Sequence, residues 1–138
     1  MIQRFMIDTN TVSYLVKGRS RAARAKLASL RDSEIACISA ITDAELQYGL
    51  AKSPNAHALR SSLEAFFTKI QILHWGREEA LAYGQLRAKQ EAAGKMLGNL
   101  DLLIAAHAIA VGAILVSNDK GFAQLDGLPA TVNWATDL

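Results

Sequence analysis

Short unbroken apolar runs alternate along this chain with longer stretches in which apolar residues recur every three or four positions. The runs "RFMI" (4–7), "EIACIS" (34–39), "QIL" (71–73), "AILVS" (113–117) and "ATVNW" (130–134) are continuous rather than alternating, the pattern of strands buried on both faces. Helical spacing predicts helices over Asn10–Val16, Ser20–Leu30, Thr42–Leu50, Ala56–Ile70 and Glu78–Ala93, the last closed by Gly94. Pro54 and Asn55 interrupt the chain before the fourth of these, and an almost wholly apolar helix opens at Asp101. Strands alternating with helices imply a parallel sheet covered on both faces, so the expected fold is an α/β three-layer sandwich. No repeat, low-complexity tract or linker divides the chain, and a single domain over 1–138 is expected.

In an open parallel sheet, ligands bind beyond the carboxyl ends of the strands, where the strand order reverses. Asp8 directly follows "RFMI" and Asp119 follows "AILVS" by two residues, which places both carboxylates on that edge. In "FMIDTNTVSYL" (5–15) the strand passes into a helix without a spacer; Thr9 or Asn10 serves as an N-cap there, which leaves Asp8 without a structural task. Glu45 lies on the helix of "AITDAELQYGL", whose apolar stripe would include Ile41, Ala44, Leu46 and Leu50. It is either a ligand or the far half of a Thr42-x-x-Glu45 capping box. Asp101 is either a ligand or an acid placed favourably at the positive end of its helix. Four carboxylates sharing a partly desolvated edge require protons or a cation to offset their repulsion. An all-oxygen set favours Mg²⁺ or Mn²⁺ over zinc, and such an ion holds phosphate oxygens and activates water, the chemistry of phosphodiester cleavage.

Composition narrows the context. Of the 138 residues, 51% are hydrophobic, enough for a core that needs no staples. The one cysteine, Cys37, sits inside "EIACIS" and excludes an intrachain disulfide framework, which fits a reducing, cytoplasmic location. No signal-peptide pattern is expected at the start of the chain, and the most apolar segment, Leu102–Val116, is too short to span a membrane. A net charge of +2 does not by itself argue for nucleic-acid binding. Lys17, Arg19, Arg21, Arg24, Lys26 and Arg31 do crowd one early segment, as either a solvated helix face or an RNA-facing patch.

The pieces "MIDTNTVSYLVKG", "ISAITDAELQYGLAKS", "LAYGQLRAKQEAAGKMLGNLDLLIAAHAIAVGAILVSNDKGFAQLDGL" and the closing "VNW" together resemble the PIN-domain ribonucleases, and among them the VapC toxins of bacterial toxin–antitoxin systems. The resemblance covers essentially the whole chain and implies a five-stranded parallel sheet with an acidic carboxyl edge. It makes Asp8, Glu45 and Asp101 the principal carboxylates for Mg²⁺ or Mn²⁺ and Asp119 a fourth, often outer member. Many close relatives carry Asn where Asp119 stands. Asn10 and Ser117 match positions that orient the first Asp, and Arg87 in "LRA" matches the pattern either as a solvated helix charge or as a phosphate contact. Lys95, just ahead of Asp101, is a second candidate for holding the RNA backbone. The resemblance further implies a structured RNA substrate such as a tRNA anticodon stem-loop, a homodimer, and neutralisation by a small VapB-type antitoxin. Its groove would be lined by the helices carrying Tyr14, Leu46, Tyr48 and Leu50, with exposed aromatics as anchors.

Other readings fit less well. His57, His74 and His107 occur in no recurring ligand spacing and are assigned structural or surface roles, and Ser39, Ser117 and Cys37 have no base nearby in the sequence, which leaves open only a triad assembled in space. A phosphohydrolase of the haloacid-dehalogenase kind wants a second Asp where this chain has Asn10, and a receiver-like domain wants paired acids after the first strand. A PIN module kept only for RNA or protein binding would not need to retain four mutually repelling acids.

Overall fold

A computed structural model of the chain describes residues 1–95 and 97–138. In chain order the elements are β1 (Gln3–Ile7), α1 (Thr9–Val16), α2 (Arg21–Ala28), β2 (Glu34–Ser39), α3 (Ala40–Ala51), α4 (His57–Phe67), β3 (Gln71–Leu73), α5 (Arg77–Ala92), α6 (Asn99–Val111), β4 (Ile114–Val116) and β5 (Thr131–Val132), with a short 3₁₀ helix at Lys120–Gln124. The five strands form one sheet in the order β3-β2-β1-β4-β5, every pairing parallel. The expected strands and sheet are therefore present, and the α/β sandwich stands. From β1 the sheet is built outward one way through β2 and β3 and the other way through β4 and β5, so its ligand edge centres on the residues that leave β1 and β4.

Side chains alternate across the pleat. Phe5, Ile7, Ala36, Ile38 and Val116 enter one core with Val12, Leu15 and Val16 of α1 and Leu63 and Phe66 of α4. Met6, Cys37 and Leu115 enter the other with Leu86 of α5 and Leu102, Ile104, Ala105, Ala106 and Ala108 of α6. Helix α6 is apolar nearly all round because it lies between the sheet and α5. Gly112, at φ 66°, stops it in the left-handed conformation that a residue with a Cβ resists, and β4 begins two residues later. Trp134, from the closing "VNW", packs its ring 5.6 Å from that of Phe5 and ties the end of the sheet to its centre.

Candidate functional site

Asp8 leaves β1 with its amide still in the sheet, donating to the Val116 carbonyl at 3.0 Å. Its own side chain is the N-cap of α1: Oδ1 accepts from the Thr11 amide at 2.9 Å. The helix thus starts one residue earlier than expected, and the cap is neither Thr9 nor Asn10. Asn10 stands exposed on α1, whereas the groups bonded to Asp8 are Thr11 and Ser117. Asp8 is only 4% exposed, and this burial raises its pKa against the pull of those hydrogen bonds, with the Asp119 charge adding to the rise. Ser117, also buried, accepts from the Asp119 amide at 2.9 Å and so links the first and last acids of the set.

Glu45 is not half of a capping box. Helix α3 begins at Ala40 with Ser39 as its cap, because β2 runs into it with no loop, and Thr42 is buried in its first turn. Glu45 lies in the second turn, where its Oε1 accepts from the Thr9 hydroxyl at 2.6 Å. That hydroxyl also lies 3.3 Å from the Thr42 hydroxyl, so Thr9 bridges α1 to α3. Ala44, expected in the apolar stripe, is exposed. Asp101 occupies the first turn of α6, at the positive end of that helix. Its pKa is raised, first by burial and then by the charges of Asp119, Asp8 and Glu45 in turn. Asp119 is exposed and caps the 3₁₀ helix through Oδ1, which accepts from the Gly121 amide at 2.8 Å.

The fold therefore gathers the four acids on one edge, with the side chains of Asp8, Glu45 and Asp119 each held by a different local device. Among the described residues no three of them close to the spacing of a finished coordination sphere. The chemistry of the set nonetheless fits a hard cation: every donor is a carboxylate oxygen, and the charges that act on Asp101 are all negative. The one salt bridge among the described residues, Arg87 to Glu91 at 2.9 Å, is on the exposed face of α5 and leaves the acids uncompensated.

The remaining expected residues are scattered. Arg87 spends its guanidinium on Glu91 and on the Tyr83 hydroxyl at 3.0 Å, and Lys95 is exposed in the loop after α5. Tyr14 is half-buried, its hydroxyl 3.5 Å from Asn118 Nδ2, beside the acidic loop. Leu46 is half-buried, Leu50 lies in the core and cannot line a groove, and Tyr48 is 67% exposed with the Lys52 ammonium 4.9 Å over its ring. A groove of about 780 Å³ lies elsewhere, between α1, α2, α4 and β2. It is walled by Leu15, Val16, Leu27, Leu30 and Phe66 and contains none of the four acids. His57 and His74 are exposed and His107 is buried. The sequence reading missed Thr9 as the partner of Glu45; its only local signal was its place between Asp8 and Asn10 in the D-T-N triplet.

Residues 5–128 match the PIN domain family. The chain is 37% identical over 131 residues to ribonuclease VapC2 of Rickettsia felis, covering 94% of this chain and 97% of that protein. It is 32% identical over 133 residues to the tRNA(fMet)-specific endonuclease VapC of Shigella flexneri, covering 96% and 98%. In three dimensions it resembles a chain of VapBC2 from Rickettsia felis bound to a DNA fragment from their promoter, with a TM-score of 0.89 at 35% identity, covering 96% of this chain and 99% of that one. A chain of DNA-bound VapBC from Salmonella typhimurium gives a TM-score of 0.81 at 31% identity, covering 97% and 99%.

Proposed function

The chain belongs to the PIN-domain family, and from that premise we propose that it is a Mg²⁺- or Mn²⁺-dependent endoribonuclease toxin of the VapC type. The observation that carries the reading is the field at Asp101, where three further carboxylates act on a half-buried acid with no basic group to offset them. Asp8, Glu45, Asp101 and Asp119 would hold the ion, which when bound supplies electrophilic stabilisation of phosphate oxygens and an activated water. The protein's share of the work is positional. The Thr11 amide and Ser117 fix Asp8, the Thr9 hydroxyl fixes Glu45, and the Gly121 amide fixes Asp119, so the acids do not need to reorganise as charge develops on the phosphate.

The proposed substrate is a structured RNA, with a tRNA anticodon stem-loop first to be tried because the Shigella flexneri relative is named for tRNA(fMet). Lys95 is the better placed of the two expected phosphate contacts, since the Arg87 guanidinium is already paired. A VapB-type antitoxin is the proposed inhibitor, in line with the VapBC composition of the similar structures. An Arg from it would compete with the cation for the acids, and the apolar groove walled by Leu15, Leu27 and Phe66 offers its hydrophobic part a place to bind. A homodimer is also proposed, supported by the exposed Ile72 of β3, Leu81 of α5 and Leu100 of α6. The deciding experiment is cleavage of total tRNA by the wild type and by Asp8→Asn. Cutting should disappear in EDTA, return with Mn²⁺, and be absent in the variant. Full activity in chelator would overturn the mechanism.

A further inference from the structure

Helix α6 buries one polar side chain in an otherwise apolar stretch: His107, fully inaccessible, between Ala106 and Ala108. Its Nδ1 lies 2.7 Å from Oγ of Ser39, which is itself fully buried. Burying an imidazole is costly unless its hydrogen bonds are met, and here only one of them is, since Nε2 has no partner among the described residues. Glu79 of α5, whose charge acts on His107, is committed to the Gly76 amide at 2.8 Å. A leucine would fill the same space without this cost, so the pair calls for an account beyond packing.

Ser39 is the last residue of β2 and the N-cap of α3, accepting from the Ile41 amide at 3.0 Å. Helix α3 carries Glu45 and α6 carries Asp101, and the two helices pack together. Among the described residues, the Ser39–His107 contact is the only side-chain hydrogen bond that joins them. We propose that Ser39 and His107 are positioning residues, whose hydrogen bond fixes α3 against α6 and thereby sets the separation of Glu45 and Asp101 for the divalent cation. The inference rests on the metal-dependent reading of the site and names two residues that act on it only through others. An apolar contact would allow the helices to slide, whereas one directional bond of 2.7 Å defines their register. The role parallels that of groups that orient metal ligands from outside the coordination sphere, whose loss costs about 10- to 100-fold in metal affinity.

The test is Mn²⁺ binding by calorimetry and by the Mn²⁺-induced rise in melting temperature, measured on the whole chain. His107→Leu keeps the volume and removes the bond; His107→Asn returns an amide near the place of Nδ1. The expected result is at least about tenfold weaker Mn²⁺ binding in His107→Leu, most of it recovered in His107→Asn, with all proteins folded before metal is added. Ser39→Ala removes the same bond from the other side by deleting one oxygen, and carries the test should His107→Leu fail to fold. Wild-type affinity in His107→Leu or Ser39→Ala, or no recovery in His107→Asn, overturns the positioning role. Absence of Mn²⁺ binding by the wild type would instead sink the metal reading, and this inference with it.

Discussion

Replacing Asp8 by Asn should leave the metal-free protein as stable as the wild type or more so, and more stable than the Asp8→Ala variant. Asp8 has two measurable properties: it caps α1 through the Thr11 amide, and it carries a charge that burial disfavours. Asn is as good an N-cap as Asp, so Asp8→Asn keeps the first property and removes the second. Its new amide can donate to the Ser117 hydroxyl. Asp8→Ala relieves the same charge but loses the cap, at a cost of about 1 kcal/mol. The two variants share one gain and differ by one loss, so Asp8→Asn should melt about 2–4 °C above Asp8→Ala for a chain of this size. The assay is thermal unfolding in EDTA, followed by circular dichroism. With Mn²⁺ at roughly a hundred times its Kd, the wild type should gain about 2.7 kcal/mol and Asp8→Asn much less. If Asp8→Asn melted no higher than Asp8→Ala, the capping argument would fail; if it melted well below the wild type, the charge argument would.

The pH dependence has a definite sign. Asp8 and Asp101 both have pKa values raised above the ordinary 3.8, so the stability they contribute is fully present below that value and is lost as pH rises through their folded values. Asp137, lowered chiefly by its bond from Ser20, works the other way: its contribution is present above 3.8 and is lost as pH falls through the lowered value. His107, lowered by burial, works in the same sense as Asp137, so the acids are read by difference: relative to the double variant Asp8→Asn, Asp101→Asn, the metal-free wild type should lose melting temperature as pH rises from about 4, and a difference that does not change with pH would refute the assignment. Thr9→Val keeps the shape of the side chain but deletes the hydroxyl that holds Glu45, and should lower Mn²⁺-dependent cleavage about 10- to 100-fold with a stability change of about 1 kcal/mol or less. Cys37, buried and with its thiol pKa pushed up to about 12, should resist iodoacetamide at pH 8 in the folded protein and react readily in guanidinium; rapid native labelling would contradict its burial.

The sheet was readable because its strands are continuous apolar runs with sharp ends, and "EIACIS" and "QIL" match β2 and β3 residue for residue. The helix starts were harder where no loop separates strand from helix. At β1–α1 three adjacent residues can all cap, and only the fold decides that Asp8 does so rather than Thr9 or Asn10. At β2–α3 the Thr42-x-x-Glu45 spacing imitated a capping box, while the real cap, Ser39, was counted in the strand. Asp8, Asp101 and Asp119 were legible from their places at element ends, whereas Glu45 lies inside α3 and joins the set through the family resemblance. Their supports were not, because Thr9 meets Glu45 across 36 positions and His107 meets Ser39 across 68, distances at which no local pattern operates. The 3₁₀ helix after Asp119 was likewise not foreseen.

The central place of β1 in the sheet has a consequence for the order of events during synthesis. β1 is made first, yet its neighbour β4 comes from the last third of the chain, and only their pairing brings Asp8 and Ser117 together. At ordinary translation speeds, on the order of ten seconds separate the appearance of Asp8 from that of Asp119. Throughout that interval the nascent chain carries one half of an acidic edge with nothing opposite it. The site thus forms only once β4 has been made and has paired with β1, long after its first acid has appeared.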